Sequence, residues 1–427
     1  MNQPAKQPYR GLAGIRRAFA TPSALTMLFF GFGSGLPFLL VGGTLSTWLR
    51  DAGLSLGVIG LISYAGFFYV LKFLWAPLID RFALPLLGRR RGWLFVSQLL
   101  LAAALGGMAT LNPNTSTEML VALVALASLA GATQDIVVDA YRIEIAPVEA
   151  QGALAATYTL GYRFGLILSG AVALYLAELF GWSTAYWCMA LAMLLPLIAV
   201  LFCREPELNA QFVNRDHDVM TAFIGPFKSF FSHYGWALAL ALLVFVGLFK
   251  FPDQMIGVLA GPFYLDSGYS KADIATVSKI YGIWAGIAGA FLGGVCVAAF
   301  GIRWLLLVAA IAVALSNLAF LLMAYYPSEQ WAFFAAITAD NVSQGFAGVV
   351  LIAFMSSLTQ RHFTATQYAL LVSLANLPGK FVGGISGFIV EASSYQAYFL
   401  FSALSVVPTL LLLIWLWPRI EITGRSS

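Results

Sequence analysis

Charge is what this sequence has least of. Only 10% of its 427 residues are Asp, Glu, Lys or Arg, while 60% are hydrophobic; a soluble domain carries about 25% charged residues. No soluble core of this length hides so much apolar surface, so lipid has to be the solvent for most of it. Histidine is scarcer still: His217 and His233 fall in a polar middle stretch and His362 in a short loop. No His/Asp/Glu cluster at a membrane face, metal-ligand spacing or nucleophile elbow accompanies them, which argues against a membrane-embedded enzyme. The three cysteines, Cys188, Cys203 and Cys296, lie in or at the end of apolar segments, where they read as small core residues and not as a disulfide framework. No cleavable leader is expected either. Arg10, Arg16 and Arg17 precede a long apolar stretch with no cleavage pattern behind it, so they read as cations holding the N-terminus inside.

What is there is a series of apolar segments, each long enough to cross a hydrocarbon core of about 30 Å. They fall near residues 22–49, 55–79, 92–111, 117–139, 152–177 and 184–203, then near 234–265, 272–299, 302–325, 330–357, 364–390 and 396–417. A polar stretch of 204–233 separates the two sets of six. The expected organisation is therefore an N-terminal half (1–203), a cytoplasmic middle loop (204–233) and a C-terminal half (234–427).

Basic residues fix the expected orientation. With the N-terminus inside, sixteen Lys and Arg fall on the inner side and only Arg50 and Lys271 on the outer. The other five of the 23, Lys72, Arg163, Lys250, Lys279 and Lys380, lie within spans, as do Asp135, Asp253 and Asp340. Asp80 and Asp139 sit at inner ends. A charge inside a span is costly and normally faces protein or a watery cavity. Arg163 and Asp340 lie near mid-span, where function is the stronger reading. Lys279, near an outer end, is equally explained by snorkelling.

The halves repeat one another. Arg163-Phe164 with Ser169-Gly170 in span 5 matches Lys380-Phe381 with Ser386-Gly387 in span 11, at an offset of 217 residues; Pro37 and Pro252 stand 215 apart. Those prolines mark either helix breaks at a cavity or kinks that neighbouring helices tolerate. Glycines cluster at Gly31, Gly33 and Gly35, at Gly282 to Gly294, and at Gly379 to Gly387, which lets helix backbones approach closely. Between spans 2 and 3, Asp80-Arg81 is followed by Gly88-Arg89-Arg90-Arg91. Inside anchoring explains the arginines but not the Asp-Arg pair. The stretch resembles the acidic-and-basic signature that major facilitator proteins carry in the same loop, and that resemblance implies a cytoplasmic charge network of Asp80, Arg81, Arg89 and Arg90.

These pieces together resemble one family. Gly31-Phe32-Gly33-Ser34-Gly35-Leu36-Pro37, Lys72-Phe73-Leu74-Trp75-Ala76-Pro77-Leu78-Ile79-Asp80-Arg81 and Gly88-Arg89-Arg90-Arg91-Gly92-Trp93 occur in this order. Gln134-Asp135-Ile136-Val137-Val138-Asp139-Ala140, Gly161-Tyr162-Arg163-Phe164-Gly165 and Thr364-Ala365-Thr366-Gln367-Tyr368-Ala369-Leu370-Leu371 follow. The chain is similar to the AmpG-like muropeptide permeases, in the peptide–acetyl-coenzyme A transporter branch of the major facilitator superfamily. The resemblance implies an all-α membrane protein with the major facilitator fold: twelve transmembrane helices in two pseudo-symmetric six-helix halves. It implies proton-driven import of N-acetylglucosaminyl-1,6-anhydro-N-acetylmuramic acid, with or without peptide, across the inner membrane, and a link to β-lactamase induction. A carrier for another organic anion, such as acetyl-coenzyme A, is the alternative.

The expected substrate contacts are Lys72, Gln134, Arg163, Lys250, Asp340 and Lys380. Cations would hold cargo carboxylates, and Trp48, Tyr69, Tyr162 and Trp284 offer faces for sugar rings. Asp135, Asp139 and Asp253 are the expected proton-coupling acids. Asp135 and Asp139, four apart, share a helix face, and Lys250 and Asp253 are candidates to pair with each other. Arg163 and Lys380 are expected to face a common cavity from the two halves. The expected partners are the cargo, protons and the bilayer. Neither a cofactor, a metal nor nucleic acid is expected, and the expected state is a monomer with both termini cytoplasmic.

Overall fold

The computed structural model describes residues 21–424 except 83, 85–86, 146–150, 207–227, 301 and 359–363. Among them, ten helices are long and apolar enough to cross a membrane. Together with two further helical runs they are, in chain order, α1 (Pro22–Asp51, with a turn at Val41 and Gly42), α2 (56–81), α3 (Arg89–Ala109), α4 (Thr117–Ile145), α5 (151–180), α6 (Trp182–Phe202), α7 (Trp236–Asp266), α8 (271–300), α9 (Ile302–Tyr325), α10 (Gln330–Leu358), α11 (Thr364–Ala392) and α12 (395–424). The two outside the ten are α2 and α11. Lipid offers no partner for a bare peptide group, so a spanning segment has to satisfy its backbone internally, and a helix does so.

Helix starts follow local chemistry. Thr21 Oγ1 accepts from Ala24 N at 3.2 Å ahead of Pro22, Ser270 and Asp273 cap each other's backbone at α8, and Ser394 caps α12. One expected span departs from the sequence reading. Tight turns at Ser63–Gly66 and Lys72–Leu74 cut α2 into three short pieces. The prolines resolve the other way: α1 runs through Pro37 and α7 through Pro252, both buried, so they are tolerated kinks.

The chain forms two compact units, Met1–Leu45 with Leu71–Arg215, and Ser46–Val70 with Asp216–Ser427. In the first, α1 and α5 pack backbone to backbone. A methyl group on Gly31 or Gly35 would run into the carbonyl oxygen of Tyr158 or Tyr162, and one on Gly161 into that of Leu28. Small residues four apart on both helices permit this approach.

In the second unit, α7 packs on α11, and the first half of α2 lies against α11 in the same glycine-bearing manner. A side chain at Gly60 would meet the Gly384 carbonyl, and one at Gly387 that of Leu56. Tyr64 Oη donates to the Phe381 carbonyl at 3.1 Å, and Gly57 N to Glu391 Oε1 at 2.9 Å. At the same end Arg50 pairs with Asp266 at 2.7 Å, Tyr395 Oη donates to Asp266 at 2.8 Å, and Lys271 pairs with Asp51 at 3.0 Å. The repeat seen in the sequence has a structural counterpart: Ser169 and Ser386 are both fully buried and each bonds back to a carbonyl of its own helix, that of Gly165 and that of Gly383.

Candidate functional site

Each unit holds a polar cluster at the depth of its spanning helices. In the first unit the second turn of α2 brings Lys72 Nζ to 3.6 Å from Asp135 Oδ2 on α4. Gln134, fully buried, donates to Ser34 Oγ on α1 at 3.4 Å. Gly33 is part of the reason it fits, since a Cβ there would stand 3.4 Å from Gln134 Nε2 and closer still to Pro196. Asp135 lies within electrostatic reach of Asp139, Tyr158 and Tyr162. Two buried acceptors, Gln134 Oε1 and Asp135 Oδ1, find no donor among the described residues. Leaving a buried acceptor unpaired is costly, so the cluster is chemically suited to take up a proton or a donor group.

The structure separates the two acids that share a face of α4. Asp135 is mostly buried, whereas Asp139 is half-exposed and forms an ion pair with Arg142 at 3.6 Å. Arg163, on the exposed side of α5, makes no ion pair or hydrogen bond among the described residues.

In the second unit the expected Lys250–Asp253 ion pair does not form. Lys250 Nζ donates to Asn376 Oδ1 on α11 at 3.2 Å, and Gln254 Nε2 donates to the same oxygen at 2.7 Å. Asp253 stays within electrostatic reach of Lys250 and of Asp340. Asp340 accepts from Gln344 at 2.9 Å and lies near Lys279, which draws that lysine into the cluster. A small cavity reaches Lys250, Asp253 and Gln344 between apolar walls such as Phe249 and Leu351. Lys380 Nζ lies against Gly66 and, like Arg163, has no carboxylate partner among the described residues. Of the aromatics, Trp48 is a core residue at 4% exposure and Trp284 an outward one at 68%. Burial in the packing rules Trp48 out as a stacking face.

Where α3 begins and α4 ends in the first unit, the arginines find acids that sequence reasoning passed over. Arg90 grips Glu144 at the end of α4 with two hydrogen bonds, of 2.6 and 3.0 Å, and Arg89 adds a third at 2.9 Å. Glu205, just beyond α6, accepts from the backbone N–H groups of Arg90 and Arg91 at 2.7 and 3.0 Å. That puts a carboxylate on the N-terminus of α3, where free donors and the helix dipole favour it. Burial works against the Glu144 carboxylate, but the Arg90 and Arg89 guanidiniums outweigh it and hold the group below its usual range. The side chains of Asp80 and Arg81 lie outside what the structure describes.

Comparison with known proteins covers nearly the whole chain. The family model of the Major Facilitator Superfamily matches residues 24–381. The anhydromuropeptide permease of Escherichia coli (strain K12) is 36% identical over 401 residues, which is 93% of this chain and 80% of that one. A Rickettsia conorii protein named transporter AmpG 4 is 32% identical over 415 residues, 96% of this chain and 100% of its own. Among solved structures, a mutant of the nucleoside transporter NupG superposes with a TM-score of 0.71 at 15% identity, covering 92% of this chain and 99% of that one.

Proposed function

The chain belongs to the Major Facilitator Superfamily, and from that premise we propose that it imports anhydromuropeptides across the bacterial inner membrane, driven by protons. The cargo is GlcNAc-1,6-anhydroMurNAc with or without its peptide, taken from periplasm to cytoplasm for peptidoglycan recycling. The observation that carries this reading is the likeness to the Escherichia coli anhydromuropeptide permease, 36% identical across 93% of this chain and 80% of that one.

The interior chemistry supports it. Arg163 on α5 and Lys380 on α11 have no carboxylate partner among the described residues, as a carrier of carboxylate-bearing cargo requires. Asp135 supports coupling. It holds Lys72 at 3.6 Å while its other oxygen lacks a donor. Protonating it removes the charge that holds Lys72 and releases the ammonium toward an anion, so proton and cargo enter together. Lys250, Asp253 and Asp340 are the corresponding cargo and coupling groups of the second unit.

Purified protein in liposomes tests the cargo. Labelled GlcNAc-anhydroMurNAc should be taken up in preference to labelled acetyl-coenzyme A. Uptake of acetyl-coenzyme A alone would move the chain to the organic-anion carriers.

A further inference from the structure

Helix α7 presents two opposite faces at one level, and only one of them carries the cargo chemistry. Pro252 has no N–H, so the carbonyl of Leu248, one turn earlier, loses its helical donor. In the interior of a membrane protein that oxygen needs another. Thr409 Oγ1 on α12, fully buried, donates to it at 3.0 Å. The carbonyl of Pro252 itself accepts twice, from Asn317 Nδ2 on α9 at 3.1 Å and from Ser402 Oγ on α12 at 2.9 Å. Asn317 Nδ2 also donates to Ser402 Oγ at 2.7 Å, and Tyr398 Oη donates to the carbonyl of Met255 at 2.7 Å.

At 3.6 residues per turn, Leu248, Pro252 and Met255 fall within roughly 60° of one another. Lys250, Asp253 and Gln254 centre roughly half a turn away, on the side that meets Asn376. A proline kink in a spanning helix is an obvious hinge, but here the carbonyls of Leu248, Pro252 and Met255 are each held by a buried side chain of α9 or α12.

We propose that Thr409, Asn317 and Ser402 are positioning residues that fix the Pro252 turn to α9 and α12, so that Lys250 and Gln254 meet the cargo as a rigid set. The cargo part of this rests on the muropeptide reading above; the rigidity does not.

Two measurements on the full-length protein separate them. Amide hydrogen exchange over 248–256 should be as slow as in the flanking turns of α7, faster in Thr409→Val, and restored in Thr409→Ser. Fast exchange in the wild type would make Pro252 a hinge and overturn the proposal whatever the cargo is. In proteoliposomes, Thr409→Val should raise the KM for the acidic GlcNAc-anhydroMurNAc roughly five- to tenfold and leave its carboxyl-amidated analogue unchanged. The substitution should add nothing further in a Lys250→Gln background, since both act through one contact. Equal losses for the two ligands, or full additivity with Lys250→Gln, would reduce the clamp to general packing. Ser402→Ala serves as a second variant should Thr409→Val fail to reach the membrane. Slow exchange with no uptake of either ligand by the wild type would sink the cargo reading and leave the rigid turn standing.

Discussion

Arg163 and Lys380 are the residues on which the cargo's charge is expected to bear. They are related by the internal repeat, and neither has a carboxylate partner among the described residues. Neutralising either, as Arg163→Gln or Lys380→Gln, should weaken binding of acidic muropeptides by about 1.5–3 kcal/mol, the worth of a hydrogen bond to a charged group. Amidated analogues should be little affected; equal losses for both, measured by equilibrium binding, would make the two cations structural. Asp135 has a different signature. Asp135→Asn mimics the protonated acid, so it should abolish uphill accumulation while exchange of labelled for unlabelled cargo continues. Normal accumulation would move the coupling role to Asp253 or Asp340. Charged residues such as these stand out in an apolar sequence, and for that reason they were legible in it. Asn376, Gln254 and Ser34 were not, because an uncharged amide or hydroxyl in a span looks like any other polar residue until its partners are known.

Between elements, packing decides more than charge does. Gly35→Ala should destabilise the α1–α5 contact by about 1–3 kcal/mol, as overpacking does, because the new methyl would meet the Tyr162 carbonyl. Gly257 on α7 has open space around it, so Gly257→Ala should be neutral or stabilising by up to about 1 kcal/mol. Thermal unfolding of the two variants side by side checks this, and equal effects would contradict the close approach. Where α3 begins and α4 ends, the lowered Glu144 carboxyl makes a pH-dependent contribution. A depressed acid stabilises fully above its ordinary value of 4.5 and loses that stabilisation as pH falls through the lowered value. Glu144→Gln should therefore flatten the fall in stability on acidification, and an unchanged profile would remove Glu144 from the linkage. The glycine spacing behind the α1–α5 contact was readable in advance. The broken course of α2 was only half readable: Pro77, at the start of its last piece, accounts for the break at Lys72–Leu74, while no proline or polar run marks the turn at Ser63–Gly66. Glu144 and Glu205 escaped because which acid an arginine finds is settled by where α4 and α6 end.

At the scale of the whole molecule, composition and the run of apolar segments carry the membrane assignment, and ten apolar helices among the described residues and the family bear it out. The orientation is a prediction: cysteines introduced in 1–20, 204–233 and 418–427 should react with an impermeant reagent only from the cytoplasmic side, and reaction from the periplasm at any of them would break the twelve-span topology. The central claim is that a proton gradient drives an acidic muropeptide inward through this chain. Its most direct test is the accumulation ratio of labelled GlcNAc-anhydroMurNAc in proteoliposomes, with the outside made acidic and then with equal pH on both sides. The account predicts a ratio well above one in the first case and about one in the second; a ratio of one under both conditions, with cargo still crossing, would contradict it.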